Sequence, residues 1–277
     1  MRTVIISGGT AGIGQGLARH LLGRGDHVVV IGRDQAKGRA FRAEADRLGA
    51  ADRATSLTAD LSLVAENRRV IAAIENRFAQ VDALVLGAQF YRTRRTETAE
   101  GFEHTFALYY LSRFLLSFGL EPLLARAARP VVLNICGPGV EVGEIHWDDP
   151  QLTRDYQPLT AMFQGSRAND LLGVAFAELA GTGAVPYVLV NPGGVATSFA
   201  GDYADQDPVL TAQINQFRQT AAPVEEAIVP LVRLLDDPPA EPLSAFQQDQ
   251  RLSLDHPAFD RANALRLHRM TTALLGG

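Results

Sequence analysis

Lysine, cysteine and tryptophan are nearly absent from this chain: Lys37 is the sole lysine among 26 basic residues, and Cys136 and Trp147 are the only residues of their kinds. One cysteine excludes an internal disulfide. The six histidines are scattered, and neither Cys-x-x-Cys nor His-x-x-x-His occurs, so no metal site is expected. Excess charge of one sign is missing as well. A net charge of -5 without long runs argues against nucleic acid or an anionic membrane as partner. The short stretch from Arg92 to Arg95 is the one basic cluster and reads as a solvated loop. No apolar run reaches the length of a membrane span, and Met1 to Ser7 leads straight into glycines with no signal-peptide core. A cytoplasmic protein is expected. No Pro/Gly/Ser-rich linker or fixed-period repeat divides the 277 residues, which read as one domain.

What the chain does have is a 47% apolar content, ample for a packed core. Short β-branched runs alternate with longer stretches of helical period, the pattern of βαβ units around a parallel sheet. Strands are predicted at Thr3 to Ser7, His27 to Ile31, Arg53 to Thr58, Ala83 to Leu86, Pro130 to Ile135 and Pro186 to Val190, with a weaker seventh at Leu243 to Gln247. Helices are predicted at Ile13 to Gly23, Gln35 to Leu48, Val64 to Gln80, Thr98 to Arg126, Leu159 to Leu179, Pro223 to Leu235 and Pro257 to Leu274. The fold class is therefore α/β, a doubly wound, mainly parallel seven-stranded sheet of Rossmann type. Residues 200–222, polar and following the last strong strand, are expected to form a substrate lid.

Between the first strand and first helix lies Ser7-Gly8-Gly9-Thr10-Ala11-Gly12-Ile13-Gly14. Glycines in that context let the backbone approach a pyrophosphate, whose charge meets free N–H groups at the helix N-terminus. The second strand ends Gly32-Arg33-Asp34. Arg33 can pair with a ribose 2′-phosphate, so NADP(H) is the expected cofactor, while Asp34 next door keeps NAD(H) open.

The Gly-x-x-x-Gly-x-Gly spacing resembles that of the short-chain dehydrogenase/reductase family, and the likeness extends along the chain. Asp60 and Leu61 resemble the family's adenine-contacting segment. Asn191-Pro192-Gly193-Gly194-Val195-Ala196-Thr197 is similar to the Pro-Gly-x-x-x-Thr segment at the nicotinamide. The resemblance implies cofactor contacts from Gly8, Thr10, Ala11, Gly12, Ile13, Gly14, Arg33, Asp60, Leu61, Ala88, Pro192, Gly193 and Thr197. In the family the long helices at the Thr98 and Leu159 positions form subunit bundles, so a homo-oligomer is compatible with the resemblance.

The family reduces carbonyls with a tyrosine, a lysine, a serine and an asparagine, which protonate and stabilise the developing alkoxide. Each of these positions differs here. Phe163 and Arg167 stand where the Tyr-x-x-x-Lys pair is expected, Gly137 at the serine and Tyr109 at the asparagine. No Tyr-x-x-x-Lys occurs anywhere in the sequence. Arg167 retains a donor for the nicotinamide ribose but is no acid at neutral pH.

Losing a general acid costs about 10²- to 10⁴-fold, whereas positioning donor and acceptor supplies roughly 7–11 kcal/mol, so a reductase can survive the loss if a proton comes from elsewhere. Tyr109 is the candidate protein group, with Tyr110, Tyr156 and water as further sources. A phenol beside an aromatic ketone can serve as well, which points to an aromatic polyketide of angucyclinone type and to a role in antibiotic biosynthesis. Gln89, Phe90, Cys136, Tyr156 and Phe163 would form an apolar substrate wall. Two other readings stay open: an NADP(H)-binding sensor or scaffold without turnover, and a redox-neutral cyclase or dehydratase.

Overall fold

Strand residues of both parities are apolar, and both faces of the sheet are covered. The structure, a computed structural model, describes residues 1–181, 185–195 and 221–276. β1 (Thr3–Ser7), β2 (His27–Gly32), β3 (Ala54–Thr58), β4 (Ala83–Leu86), β5 (Val131–Ile135), β6 (Tyr187–Asn191), β7 (Leu243–Gln247) and β8 (Gln250–Arg251) form one sheet in the order 3-2-1-4-5-6-7-8. All pairs are parallel except β7 with β8. The eighth strand is the departure from the seven expected. It is two residues long and folds back through Gln248, which adopts a φ of 54°.

Ile5, Val29, Leu84 and Val132 point to one face, under α3 (Val64–Glu75), α5 (Ser112–Leu124) and α6 (Pro158–Leu179). Val4, Ile6, Val28, Val30 and Val85 point to the other, under α1 (Gly12–Gly23), α2 (Gln35–Arg47) and α7 (Val224–Asp236). Double burial explains why these strands read as unbroken apolar runs. α8 (Arg261–Leu274) packs on α6. Among the described residues no helix is long and apolar enough to cross a membrane.

The helix expected from Thr98 begins later. Gly101 takes a φ of 82°, and the Glu103 carboxylate caps the new start by accepting from the Thr105 and Phe106 N–H groups at 2.9 and 2.6 Å. From there α4 (His104–Phe106) passes through a π-helical turn (Ala107–Leu111) into α5. The last helix likewise starts at Arg261, after a separate 3₁₀ turn over Pro257–Phe259. The proposed lid, 200–222, lies outside the described residues apart from 221 and 222.

The chain reverses direction across the sheet between β1 and β4, leaving a crevice at their carboxyl ends. The π turn sits beside it and sends its two tyrosines apart: Tyr109 faces the crevice, while Tyr110 bonds the Thr271 hydroxyl of α8 at 2.6 Å. Tyr110 is thus a packing residue. Tyr110→Phe is expected to cost about 1 kcal/mol in urea unfolding and to leave dinucleotide affinity unchanged.

Candidate active site

The crevice is a cleft of about 520 Å³ walled by the carboxyl ends of β1 to β6. Its floor depends on close backbone approach. A Cβ at Gly14 would lie 2.4 Å from the Gly8 carbonyl oxygen, and one at Gly8, where φ is 72°, would lie 2.9 Å from the Ala88 nitrogen. Ser7 secures the same junction, its Oγ accepting from the Gly87 N–H at 3.2 Å. Ala11 caps α1 without a side-chain hydrogen bond, and no acidic residue stands in the first turn. Its N–H groups therefore face the cleft free to meet an anion.

At the β2 end, Arg33 and Lys37 both line the cleft, and the Arg33 guanidinium stacks 4.3 Å from the Phe90 ring centroid. Arg92 packs on the same ring at 4.7 Å. Phe90 thus sits at the Arg33 end of the cleft, where its ring orders a cation. Asp34 lines the cleft as well, with one carboxylate oxygen committed to α2. Its Oδ1 accepts from the Ala36 and Lys37 N–H groups at 2.8 and 3.1 Å, capping α2. These bonds, that from Lys37 foremost, hold its carboxyl below the usual carboxylate range. His104 meets Phe90 edge-on, and burial, then the Arg92 charge, pulls its imidazole down to about 4, so it stays neutral.

At the opposite end the wall is Tyr109, Cys136, Gly137, Phe163 and Ser166. Burial pushes Tyr109 up to about 12 and pushes the Cys136 thiol higher still, leaving the latter protonated and inert. Tyr109 bonds Ser166 Oγ at 3.4 Å and rests its ring against the Arg113 guanidinium, 4.5 Å from the centroid.

Two expected site residues are not brought into the cleft. Arg167 donates from Nε to the Gly143 carbonyl at 2.8 Å and from Nη2 to the Val140 carbonyl at 2.7 Å. Its forked head is taken up by backbone carbonyls of the β5–α6 loop, which a lysine could not hold together in the same way. Tyr156 donates to Glu103 Oε1 at 3.3 Å and does not line the cleft, and burial lifts its hydroxyl to about 12. Thr197 lies outside the described residues. Gly8, Thr10, Ala11, Gly12, Ile13, Gly14, Arg33, Asp60, Leu61, Ala88, Pro192, Gly193, Gln89, Phe90, Cys136, Phe163 and Tyr109 all line it.

Sequence reasoning missed Lys37, Ser166 and a buried polar chain behind the wall. Arg113 bonds Asn134 Oδ1 and donates to the Ile135 and Ala88 carbonyls at 2.8 and 3.2 Å. Asn134 donates to Asn169 at 2.9 Å, and Asn169 donates to the Tyr109 carbonyl at 2.8 Å. The available signal was polar side chains inside apolar runs: Asn134 in Val-Val-Leu-Asn-Ile and Arg113 in Leu-Ser-Arg-Phe-Leu.

The sequence profile of the short chain dehydrogenase family matches residues 2–148, more than half of the chain. The chain belongs to that family. Human polyprenol dehydrogenase is 29% identical over 171 residues, 60% of this chain and 52% of the relative, so the match spans about half of that protein. A Streptomyces sp. (strain C5) protein assigned as the daunorubicin C-13 ketoreductase DnrU is 28% identical over 99% of this chain and 93% of its own. Among solved structures, the NADPH-bound carbonyl reductase from chicken fatty liver superposes with a TM-score of 0.67 at 18% identity, covering 91% of this chain and 98% of that one. The last likeness concerns the fold.

Asp170, one turn beyond Ser166 on α6, fixes the loop that carries Gly137 by accepting from the Gly139 N–H at 3.1 Å. Burial raises its carboxyl to about 8, against the lowering effects of that N–H and of the Arg167 charge. Above the ordinary aspartate range the unfolded chain has lost this proton while the folded chain keeps it, so the folded state binds more protons and its stability falls as pH rises toward 8. Asp170→Asn removes that slope. In urea titrations its stability relative to the wild type is expected to rise from pH 4 to pH 8 and then level off.

Proposed function

We propose that this family member is an NADP(H)-dependent ketoreductase that works without the usual Asn-Ser-Tyr-Lys side chains and reduces an aromatic polyketide ketone of angucyclinone type. The observation that carries this reading is a cleft built for a dinucleotide at one end and lined by Phe163 rather than an acid at the other. The residues fit the cofactor. Glycines at 8 and 14 leave a cradle that a Cβ would fill, α1 offers uncapped N–H groups for the pyrophosphate, and Arg33 with Lys37 offers cations for a 2′-phosphate. Arg33 and Lys37 flank Asp34, whose Oδ1 is committed to capping α2, and the two cations favour NADP(H) over NAD(H).

Bound there, the reduced nicotinamide supplies a hydride. The chain's own part is to hold the ketone flat against Phe163 and Met162, keep water out and aim the carbonyl at the hydride. A phenol hydrogen-bonded to that carbonyl hands over the proton that Phe163 cannot. The full-length similarity to a protein assigned as a daunorubicin C-13 ketoreductase supports this reading, which we extend to an enzyme of the kind that reduces angucyclinones in simocyclinone biosynthesis. On the same reading the enzyme acts in the cytoplasm on a small aromatic ketone.

Stereospecifically deuterated NADPH incubated with aromatic polyketide ketones is expected to pass deuterium to the alcohol, read by mass spectrometry. Tight NADPH binding with no transfer would instead indicate the sensor, and a changed substrate with no net NADPH use the redox-neutral enzyme. For substrate assistance, 8-hydroxy-1-tetralone should be reduced about 10²- to 10⁴-fold faster than 1-tetralone, the range of general acid help. Equal rates would place the proton source on the protein. Arg33→Ala is expected to weaken NADPH binding about ten- to a hundredfold and to leave NADH binding unchanged, as measured by fluorescence titration.

A further inference from the structure

Gly137 leaves the cleft wall without a hydroxyl at the end of β5, yet a hydroxyl stands beside the gap. A Cβ placed at Gly137 would lie 3.3 Å from Val140 Cγ2 and 3.5 Å from Ser166 Oγ. Ser166 comes from α6, three residues after Phe163, so the two side chains share one face of the helix and both reach the cleft. The serine is 6% exposed, enough to touch a ligand in the cleft and little enough to exclude bulk water.

Behind it the structure is arranged in depth. The Tyr109 hydroxyl is 3.4 Å from Ser166 Oγ. Gly165 makes this approach possible, because a Cβ there would lie 2.5 Å from the Tyr109 ring. Under that ring lies Arg113, 1% exposed, with two backbone carbonyls and Asn134 as acceptors, no carboxylate among these partners, and an Nε that finds no hydrogen bond among the described residues. Among the described residues no anion pairs with it, and a buried cation so placed projects a positive potential onto the wall above it.

We propose that Ser166 is the catalytic hydroxyl that hydrogen-bonds the reacting carbonyl oxygen, with Tyr109 as its positioning residue and Arg113 as the buried charge that favours an oxyanion there. The inference rests on the ketoreductase reading. With Tyr109 taken as the donor of the pair, Ser166 Oγ accepts, its own proton turns toward the ligand, and it is the stronger donor for it. In the step itself the hydride from the reduced nicotinamide bonds to the carbonyl carbon, and the C=O π pair moves to oxygen. That oxygen accepts the Ser166 hydrogen bond and takes the proton of the neighbouring substrate phenol, whose phenolate is reprotonated by solvent. Ser166 ends the step with its own proton. A donor reaching a developing oxyanion in a water-poor site acts mainly on the transition state, so its loss falls on kcat rather than KM.

The test uses the full chain with 8-hydroxy-1-tetralone labelled with ¹³C at the carbonyl. With NADPH, Ser166→Ala is expected to lower kcat about 10²-fold while KM and the NADPH Kd stay at wild-type values, and Ser166→Thr, which keeps the hydroxyl, to recover most of the rate. In the non-reacting complex with NADP⁺, difference infrared spectroscopy should show the ¹³C=O stretch of the bound ketone shifted to lower wavenumber by the wild type and Ser166→Thr, and released in Ser166→Ala. Tyr109→Phe should give an intermediate shift. A Ser166→Ala protein with wild-type kcat and an unreleased stretch overturns the proposal. If the wild type transfers no deuteride yet the stretch is released in Ser166→Ala, it is the ketoreductase reading that fails, and the contact between Ser166 and the ketone stands.

Discussion

A buried guanidinium with no carboxylate among its described partners governs this structure. Taking Arg113 out of water is offset by acceptors held in place around it: Asn134 on β5, the Ile135 and Ala88 carbonyls at the ends of β5 and β4, and the face of the Tyr109 ring. Burial alone lowers its proton affinity, yet an arginine remains charged over the physiological range. The acceptors must therefore stay where they are. Asn134 passes the constraint to Asn169 of α6, and Asn169 passes it to the Tyr109 carbonyl in the π turn. One polar chain thus fixes three walls of the cleft relative to one another, and a half-satisfied version of it would be worse than an apolar core.

The cofactor end is organised by different physics. Backbone approaches near 2.4 to 2.9 Å of a hypothetical Cβ at Gly14 and Gly8 are steric conditions, and they persist whatever occupies the cleft. Arg33 is ordered on Phe90 before any phosphate arrives, which lowers the entropy cost of engaging it. The two ends therefore differ in kind: one is held by shape and dipoles, the other by a network of hydroxyls and amides around a single charge.

Much of this was legible in the sequence, for reasons that can be named. Strands such as Thr3–Ser7 and Ala83–Leu86 are apolar on both faces, which made the mainly parallel, doubly wound sheet legible, and the glycine turn between β1 and α1 has a spacing with few other uses. What escaped was set by tertiary contacts. Composition and period could not show that Gly101 and Glu103 delay a helix, since both residues also occur inside helices. Alignment along α6 put Arg167 at the nicotinamide, but its reach and fork suit the Val140 and Gly143 carbonyls better. Ser166, one residue earlier, carried no signal at all: a serine inside a helix is commonplace, and only the empty space at Gly137 gives it meaning.

Capping α2 with Asp34 has a consequence for how coenzyme preference can change over time. Asp34 Oδ1 is committed to starting the helix and fixes how the carboxylate is turned, which leaves Oδ2 as its acceptor toward the cleft. Any change in coenzyme use that requires the side chain to rotate would uncap two backbone N–H groups. The preference is in that sense tied to secondary structure as well as to the pocket.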